Sequence, residues 1–245
     1  RKPGEPFAGK PMVGEAPDRA SNALLILASF AEVFLAREGH AGPVGINFLH
    51  KVQQPLLAAL FGALLAGVDA VLVGAGIPLE IPGLLDRLCV GEAAAWPLQL
   101  RPATTGQTRN LTFLPPAGLM PPGGILKRPK FIPIVSSATL ANLLVKKCPG
   151  QVDGFVVESP LAGGHSAPPR GGLKLTAAGE PVYGSRDEAD LAAFRALKLP
   201  FWLAGARGSP EQLVRARAAG ATGIQVGTLF AFCAESGLRD DLKAA

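Results

Sequence analysis

Reactive and aromatic side chains are scarce in this chain, and each scarcity excludes a class of protein. There are three cysteines, Cys89, Cys148 and Cys233, widely separated and without a Cys-x-x-Cys pair. An odd, dispersed set does not build a disulfide framework, so a reduced, cytoplasmic protein is expected, with thiols that fill buried space. No metal site is expected. Aromatics make up 6% of the residues, and none are interleaved with the short basic stretches 127-KRPK-130 and 146-KK-147. The net charge of +5 is spread along the chain, which predicts solvated faces and no nucleic-acid partner. Charged residues reach only 18% against 48% hydrophobic, the reverse of what disorder requires. A long unbroken apolar run is missing as well. Asp69 and four glycines interrupt Leu56 to Ile77, which divides into a helix, a turn and a strand instead of crossing a membrane. The start, Arg-Lys, is followed by Pro3, Gly4, Glu5 and Pro6, so neither a secretory signal nor a membrane partner is expected.

What the chain has in quantity is Leu, Ala, Val and Ile, in short runs. Residues 1–20, rich in Pro, Gly and charge, read as an arm or linker. A helix pattern follows to Glu38, capped by Ser21. Strand-like runs then recur at 43–49, 70–75, 131–137, 154–159, 200–205 and 223–228. Helix patterns lie between most of them, at 54–67, 80–88, 138–147, 187–198 and 209–220. The last has Ser209 as cap, Pro210 at the first helical position and Glu211 in the first turn.

This alternation predicts βαβ units and a parallel sheet, either an open doubly wound sheet or a closed barrel. Both place chemistry at the carboxyl ends of the strands. Two segments break the rhythm, 95–130, with a hairpin pattern, and 160–186, which follows a strand directly. A long insertion there sits on the face where function is built.

Four features carry candidate chemistry. Gly205 ends one strand and Gly227-Thr228 the next, each just before a helix start, so they form either an anion site of free backbone N–H groups or merely tight turns. Asn47 sits in an apolar strand, where a buried amide either ties down a loop or faces a ligand. His50 and Lys51 follow on the same rim and either line a pocket or are solvated loop residues; His40 reads as a surface residue and Asp69 as a helix-to-strand turn residue. Glu158 ends a strand, either to bind a hydroxyl chain or to pair with Arg170 or Arg186. His165, lifted by Gly163-Gly164 and followed by Pro168-Pro169, is either an inert loop histidine or a general base near neutral pH.

Val157 to Gly172, Pro200 to Pro210 and Gly220 to Gly237 resemble the flavin-dependent nitronate monooxygenase family, formerly called 2-nitropropane dioxygenases. The resemblance rests on Ala-Gly-Gly-His-x-Ala-Pro-Pro-Arg-Gly, Phe-Trp-Leu-Ala-Gly and Gln-Val-Gly-Thr, and extends to 44–83. It implies a single FMN-binding TIM-type (β/α) barrel domain over 1–245, incomplete at its N-terminus, with about six of eight strands. The family's opening strand with its Gly-rich turn, and the strand after it, have no counterpart here, and the family continues beyond 236-SGLRDDLKAA-245. The resemblance assigns His165 as base or substrate anchor beside the flavin. It assigns Asn47, Glu158, Gly163, Gly164, Gly205, Ala206, Gly227 and Thr228 to FMN, with Gly205-Ala206 replacing the usual Gly-Gly and Arg207 next. The implied reaction takes a nitronate, or a nitroalkane deprotonated by His165, and O2 to a carbonyl compound and nitrite. The alternatives are a flavin enoyl-thioester reductase and a non-catalytic barrel fragment serving in binding or assembly. A homo-oligomer that covers the barrel's open edges is also compatible with the sequence.

Overall fold

The computed structural model describes residues 13–14, 18–98, 109–163 and 167–244. Helix α1 (Arg19–Ala36) is capped by Asp18, whose side chain accepts the Ser21 N–H, so the cap lies three residues before the one expected at Ser21. A carboxylate outside the helix satisfies an N–H that the first turn leaves free; Ser21, already inside, does not. By length and composition, α1 alone among the described helices is apolar enough to cross a membrane. Here it lies along α2 (Leu56–Leu65), and Gly62 lets the two backbones meet, because a Cβ there would overlap the Ile26 carbonyl.

Nine of the ten residues of α2 are buried, which matches an apolar sequence with no polar face. Each large side chain buried there contributes about 1.5–3 kcal/mol.

Six parallel strands form the main sheet, in the order β1 (Gly45–Leu49), β2 (Ala70–Gly74), β5 (Lys130–Val135), β6 (Phe155–Glu158), β7 (Phe201–Ala204) and β8 (Gly223–Gln225). All six strands lie where the sequence predicts them. Spatial order follows chain order without reversal, so the doubly wound alternative, which must reverse, is excluded. The sheet curls as a half-barrel. The remaining pair, β3 (Ala94–Pro97) and β4 (Asn110–Phe113), makes an antiparallel hairpin inside the first insertion, with Trp96 opposite Leu111. Of the segments expected to pair, 99–101 lies outside the described residues.

Helices α3 (Ile81–Cys89), α4 (Ala138–Lys147), α5 (Leu191–Ala196) and α6 (Pro210–Ala218) connect the strands. Ser209 caps α6 through Gln212 N–H, as the sequence indicates. Helix α5 is shorter than 187–198, because Asp187 is drawn away to hold the second insertion and Asp190 takes over as cap. Two short helices, α7 (Thr228–Ala231) and α8 (Asp240–Ala244), complete the described chain.

Strand alternation separates two cores. Outward residues such as Val71, Phe131, Val135, Phe155, Val157, Phe201 and Leu203 meet the helices in the large cluster. Inward residues Leu72, Ile132, Ile134, Val156, Trp202 and Ala204 form a second, smaller one on the concave face.

The amino ends of the strands are tied by charge. Asp69 accepts hydrogen bonds from Val44 N–H at 3.0 Å, Arg37 at 2.7 Å and Lys127 at 2.9 Å. Arg128 bridges Asp86, Asp153 and the Gln151 carbonyl. Both clusters lie away from the carboxyl ends, on the face where barrels keep stability rather than chemistry.

Candidate functional site

Three strand ends converge. In register, Glu158 of β6 lies beside Ala204 of β7, and Ala204 beside Gln225 of β8, all on the concave face. After β6 the chain folds back at once: Ser159 N–H donates to the Ala204 carbonyl and Ala162 N–H to the Ser159 carbonyl. That loop lies directly over the turn after β7. A Cβ on Gly205 would overlap the Ser159 hydroxyl and come within 2.9 Å of Ala162 N, and Gly205 adopts the left-handed φ of 94°. Only glycine satisfies both demands. Ala206 follows at φ 51°, so it holds the left-handed conformation of a Gly-Gly turn at some strain. Farther along, the same loop approaches the turn after β8, where a Cβ on Gly163 would lie 2.9 Å from the Thr228 hydroxyl.

These turns border two adjoining cavities, both partly open to solvent. One, of about 410 Å³, is lined by Glu158, Gly163, Gly205, Ala206, Gly227 and Thr228, together with Arg207 and Gln225. The other, of about 700 Å³, shares Glu158, Leu161, Gly205, Ala206 and Arg207, and extends under Tyr183, Ser185 and Glu188 of the second insertion and its exit. Six of the nine residues assigned from the sequence therefore line a single cavity. Gly164 and His165 lie outside the described residues.

Asn47 lies elsewhere. It is on the concave face of edge strand β1, opposite Leu72, and is exposed rather than buried as the apolar strand suggested. An edge strand of a half-barrel has no neighbour on one side, so its inward side chains stay open to solvent.

The remaining rim residues also sort out. Lys51 and His40 are exposed, as expected. His50 is buried, contrary to its reading as a solvated loop residue. Trp96 of the hairpin packs edge-on against its ring at 5.2 Å, and Gly76 leaves the space the ring occupies. Burial pushes its pKa down, against an opposing pull from Glu80. Of the thiols, Cys89 is buried, while Cys148 and Cys233 are only half-buried. Burial raises Cys89 and Cys148 to about 11, so neither is a thiolate at neutral pH.

Electrostatics single out two side chains. Glu158 is half-buried, and burial pushes its carboxyl above the ordinary glutamate value. It makes no ion pair with a described residue. Arg170, its proposed partner, donates instead to the Ser136 and Arg186 carbonyls, and its backbone N–H donates to Asp187. Asp187, held below the usual carboxylate range by the Arg170 and Gly184 N–H groups, and Tyr183, donating to the Ala167 carbonyl, shape the insertion. No sequence motif marks Asp187 or Tyr183, because Arg170 and Ala167, to which they bond, lie far back along the chain. Gln225 did carry a signal, since it opens the Gln-Val-Gly-Thr stretch.

No protein-family profile matches the sequence, and no curated protein does. Among solved structures, the chain is similar to FabK from Thermotoga maritima. The TM-score is 0.53 at 18% identity, over 91% of this chain and 58% of FabK; a point mutant of FabK gives 0.54 at 17%, over 91% and 61%. Nitroalkane oxidase from Streptomyces ansochromogenes gives 0.47 at 18%, over 93% of this chain and 51% of the oxidase. The chain shares the TIM-like barrel fold of FabK and spans about three-fifths of its length.

Proposed function

We propose that the chain is a flavin-dependent oxidoreductase of the nitronate monooxygenase type, which converts a nitronate or nitroalkane and O2 to a carbonyl compound and nitrite. The observation that carries this reading is the convergence of Glu158, Gly163, Gly205, Ala206, Gly227 and Thr228 on one cavity. In sequence these residues belong to three separate motif fragments; in space they face the same volume.

The residues present suit FMN. Gly227 lines the smaller cavity, and a Cβ there would meet only open space, which leaves its backbone free for close approach of a phosphate. Gly205-Ala206 and Gly227-Thr228 would hold the phosphate end, and Glu158 and Gly163 would meet the cofactor from the concave face and the loop after β6; Asn47, on the open β1 edge, lines neither cavity. FMN supplies the two-electron redox chemistry when bound. The chain's own part is to hold the substrate in the larger cavity, exclude water beneath the second insertion, and take the substrate α-proton at the His165 imidazole. On this reading, residues 1–245 form one cytoplasmic FMN-binding domain with a small-molecule substrate and neither nucleic acid nor membrane as partner. A second copy would cover the unpaired edges of β1 and β8.

The test is a visible spectrum of the purified protein, followed by an oxygen electrode. Flavin absorbance and O2 uptake with a nitronate, without NADPH, are expected. Anaerobic bleaching of the flavin by NADPH, with no nitronate turnover, assigns enoyl-thioester reduction instead. A colourless preparation that takes up no FMN rejects both and leaves a non-catalytic binding module.

A further inference from the structure

We infer that Asp187 is a positioning residue of this site: its buried carboxylate joins the entry of the second insertion to its exit and so fixes one wall of the larger cavity. The inference deepens the proposed function, on which it rests for the identity of the ligand.

Among the described residues, Asp187 is the one buried carboxylate, 8% exposed. A buried charge is costly unless it is paired or hydrogen-bonded. Here two backbone N–H groups meet it, Arg170 on Oδ1 at 2.6 Å and Gly184 on Oδ2 at 2.8 Å. These bonds, helped by the Arg170 and Arg186 charges, hold the carboxyl below the usual carboxylate range. Arg170 lies near the entry of the insertion and Gly184 near its exit. Each carboxylate oxygen therefore holds one side, and the side chain closes the intervening segment into a ring. The ring is anchored on the sheet. The Arg170 guanidinium donates to the Arg186 carbonyl and, directly after β5, to the Ser136 carbonyl, both at 2.7 Å.

Asp187 does not reach the ligand. It lines neither of the two cavities, only a gap of about 10 Å³ shared with Glu158, Arg170 and Tyr183. That is room for a water molecule at most. The residues beside it do reach the ligand, because Tyr183, Gly184 and Ser185 line the larger cavity. Gly184 has open space where a Cβ would stand, so no side-chain packing of its own keeps it in place. The bond to Asp187 does so instead.

The test is Asp187→Asn in the full chain, read first by amide hydrogen exchange without any ligand. Asn keeps one oxygen acceptor and turns the other into a donor, so one of the two N–H bonds is lost. Asp187→Ala loses both. Exchange across 181–188 is expected to quicken roughly 10-fold in the Asn variant and further in the Ala variant. Strands β5 and β7 should keep wild-type rates, which shows that both variants are folded. Steady-state kinetics with a nitronate follow. KM is expected to rise roughly 10-fold with kcat within about twofold, the mark of lost substrate positioning, at unchanged flavin content. Wild-type exchange across 181–188 overturns the inference. So does faster exchange with an unchanged KM, or a fall in turnover that only follows flavin loss. If the wild type turns over no nitronate, the proposed function fails and exchange alone decides. Quickening confined to the insertion then supports the positioning role; no quickening, or quickening spread over the strands, overturns it.

Discussion

Gly163 faces Thr228 across two strand ends: a Cβ added to Gly163 would lie 2.9 Å from the Thr228 hydroxyl. The contact links the loop after β6 to the turn after β8, so the fragments flanking Glu158 and Gln225 form one wall. Gly163→Ala should therefore push the two apart and lower stability by about 1 kcal/mol. Thr228→Ala should be nearly neutral, and the double variant should recover most of the loss. A thermal-unfolding double-mutant cycle with no coupling between the two positions would show that the contact is not formed.

Glu158 gives a pH-dependent prediction. Burial raises its folded pKa above the unfolded value of about 4.3. The stabilisation from holding that proton is complete below the unfolded value and lost as pH rises through the folded one. Glu158→Gln stays neutral throughout. Its Tm should equal that of the wild type near pH 4 and exceed it by ~1–3 °C at pH 7. A wild type that is equally or more stable at pH 7 would contradict this.

Asp69 works with the opposite sign. Hydrogen bonds from Lys127, the Val44 N–H and Arg37 hold its carboxyl well below the usual carboxylate range. Its stabilisation is present above an unfolded pKa of about 3.9 and is lost as pH falls below that toward the folded value. Asp69→Asn should cost about 1–2 kcal/mol at pH 7, since partly exposed charged pairs contribute modestly. Acid titration followed by circular dichroism should show the variant and wild type converging at low pH.

For His165, the expected outcome of His165→Ala is retained flavin absorbance with turnover reduced roughly 10²- to 10⁴-fold, the usual contribution of a positioned base. Steady-state kinetics with a nitroalkane and with the preformed nitronate separate its two roles. A loss confined to the nitroalkane marks proton abstraction; an equal loss on both marks substrate anchoring. Unchanged turnover on both would remove His165 from the mechanism.

Where the sequence was legible, short-range chemistry carried the information. Apolar runs ending in small residues located all six strands of the sheet, and Ser209-Pro210-Glu211 marked the start of α6. It misled where a distant group intervened. Asp187 reads as the start of a helix until the Arg170 N–H, far back along the chain, claims its carboxylate. His50 reads as a rim residue until Trp96 covers it.

By itself, then, the sequence determined the alternation of strand and helix, the glycine turns at the strand ends and the residue types available for chemistry, because backbone preference and hydrophobic period act over a few residues. Tertiary structure decided that the sheet curls without reversing order, that Asn47 stands on an open edge apart from the β6–β8 cavity, and that Arg207 meets no described carboxylate. These depend on which strand lies beside which, and that is settled only when the whole sheet packs against its helices.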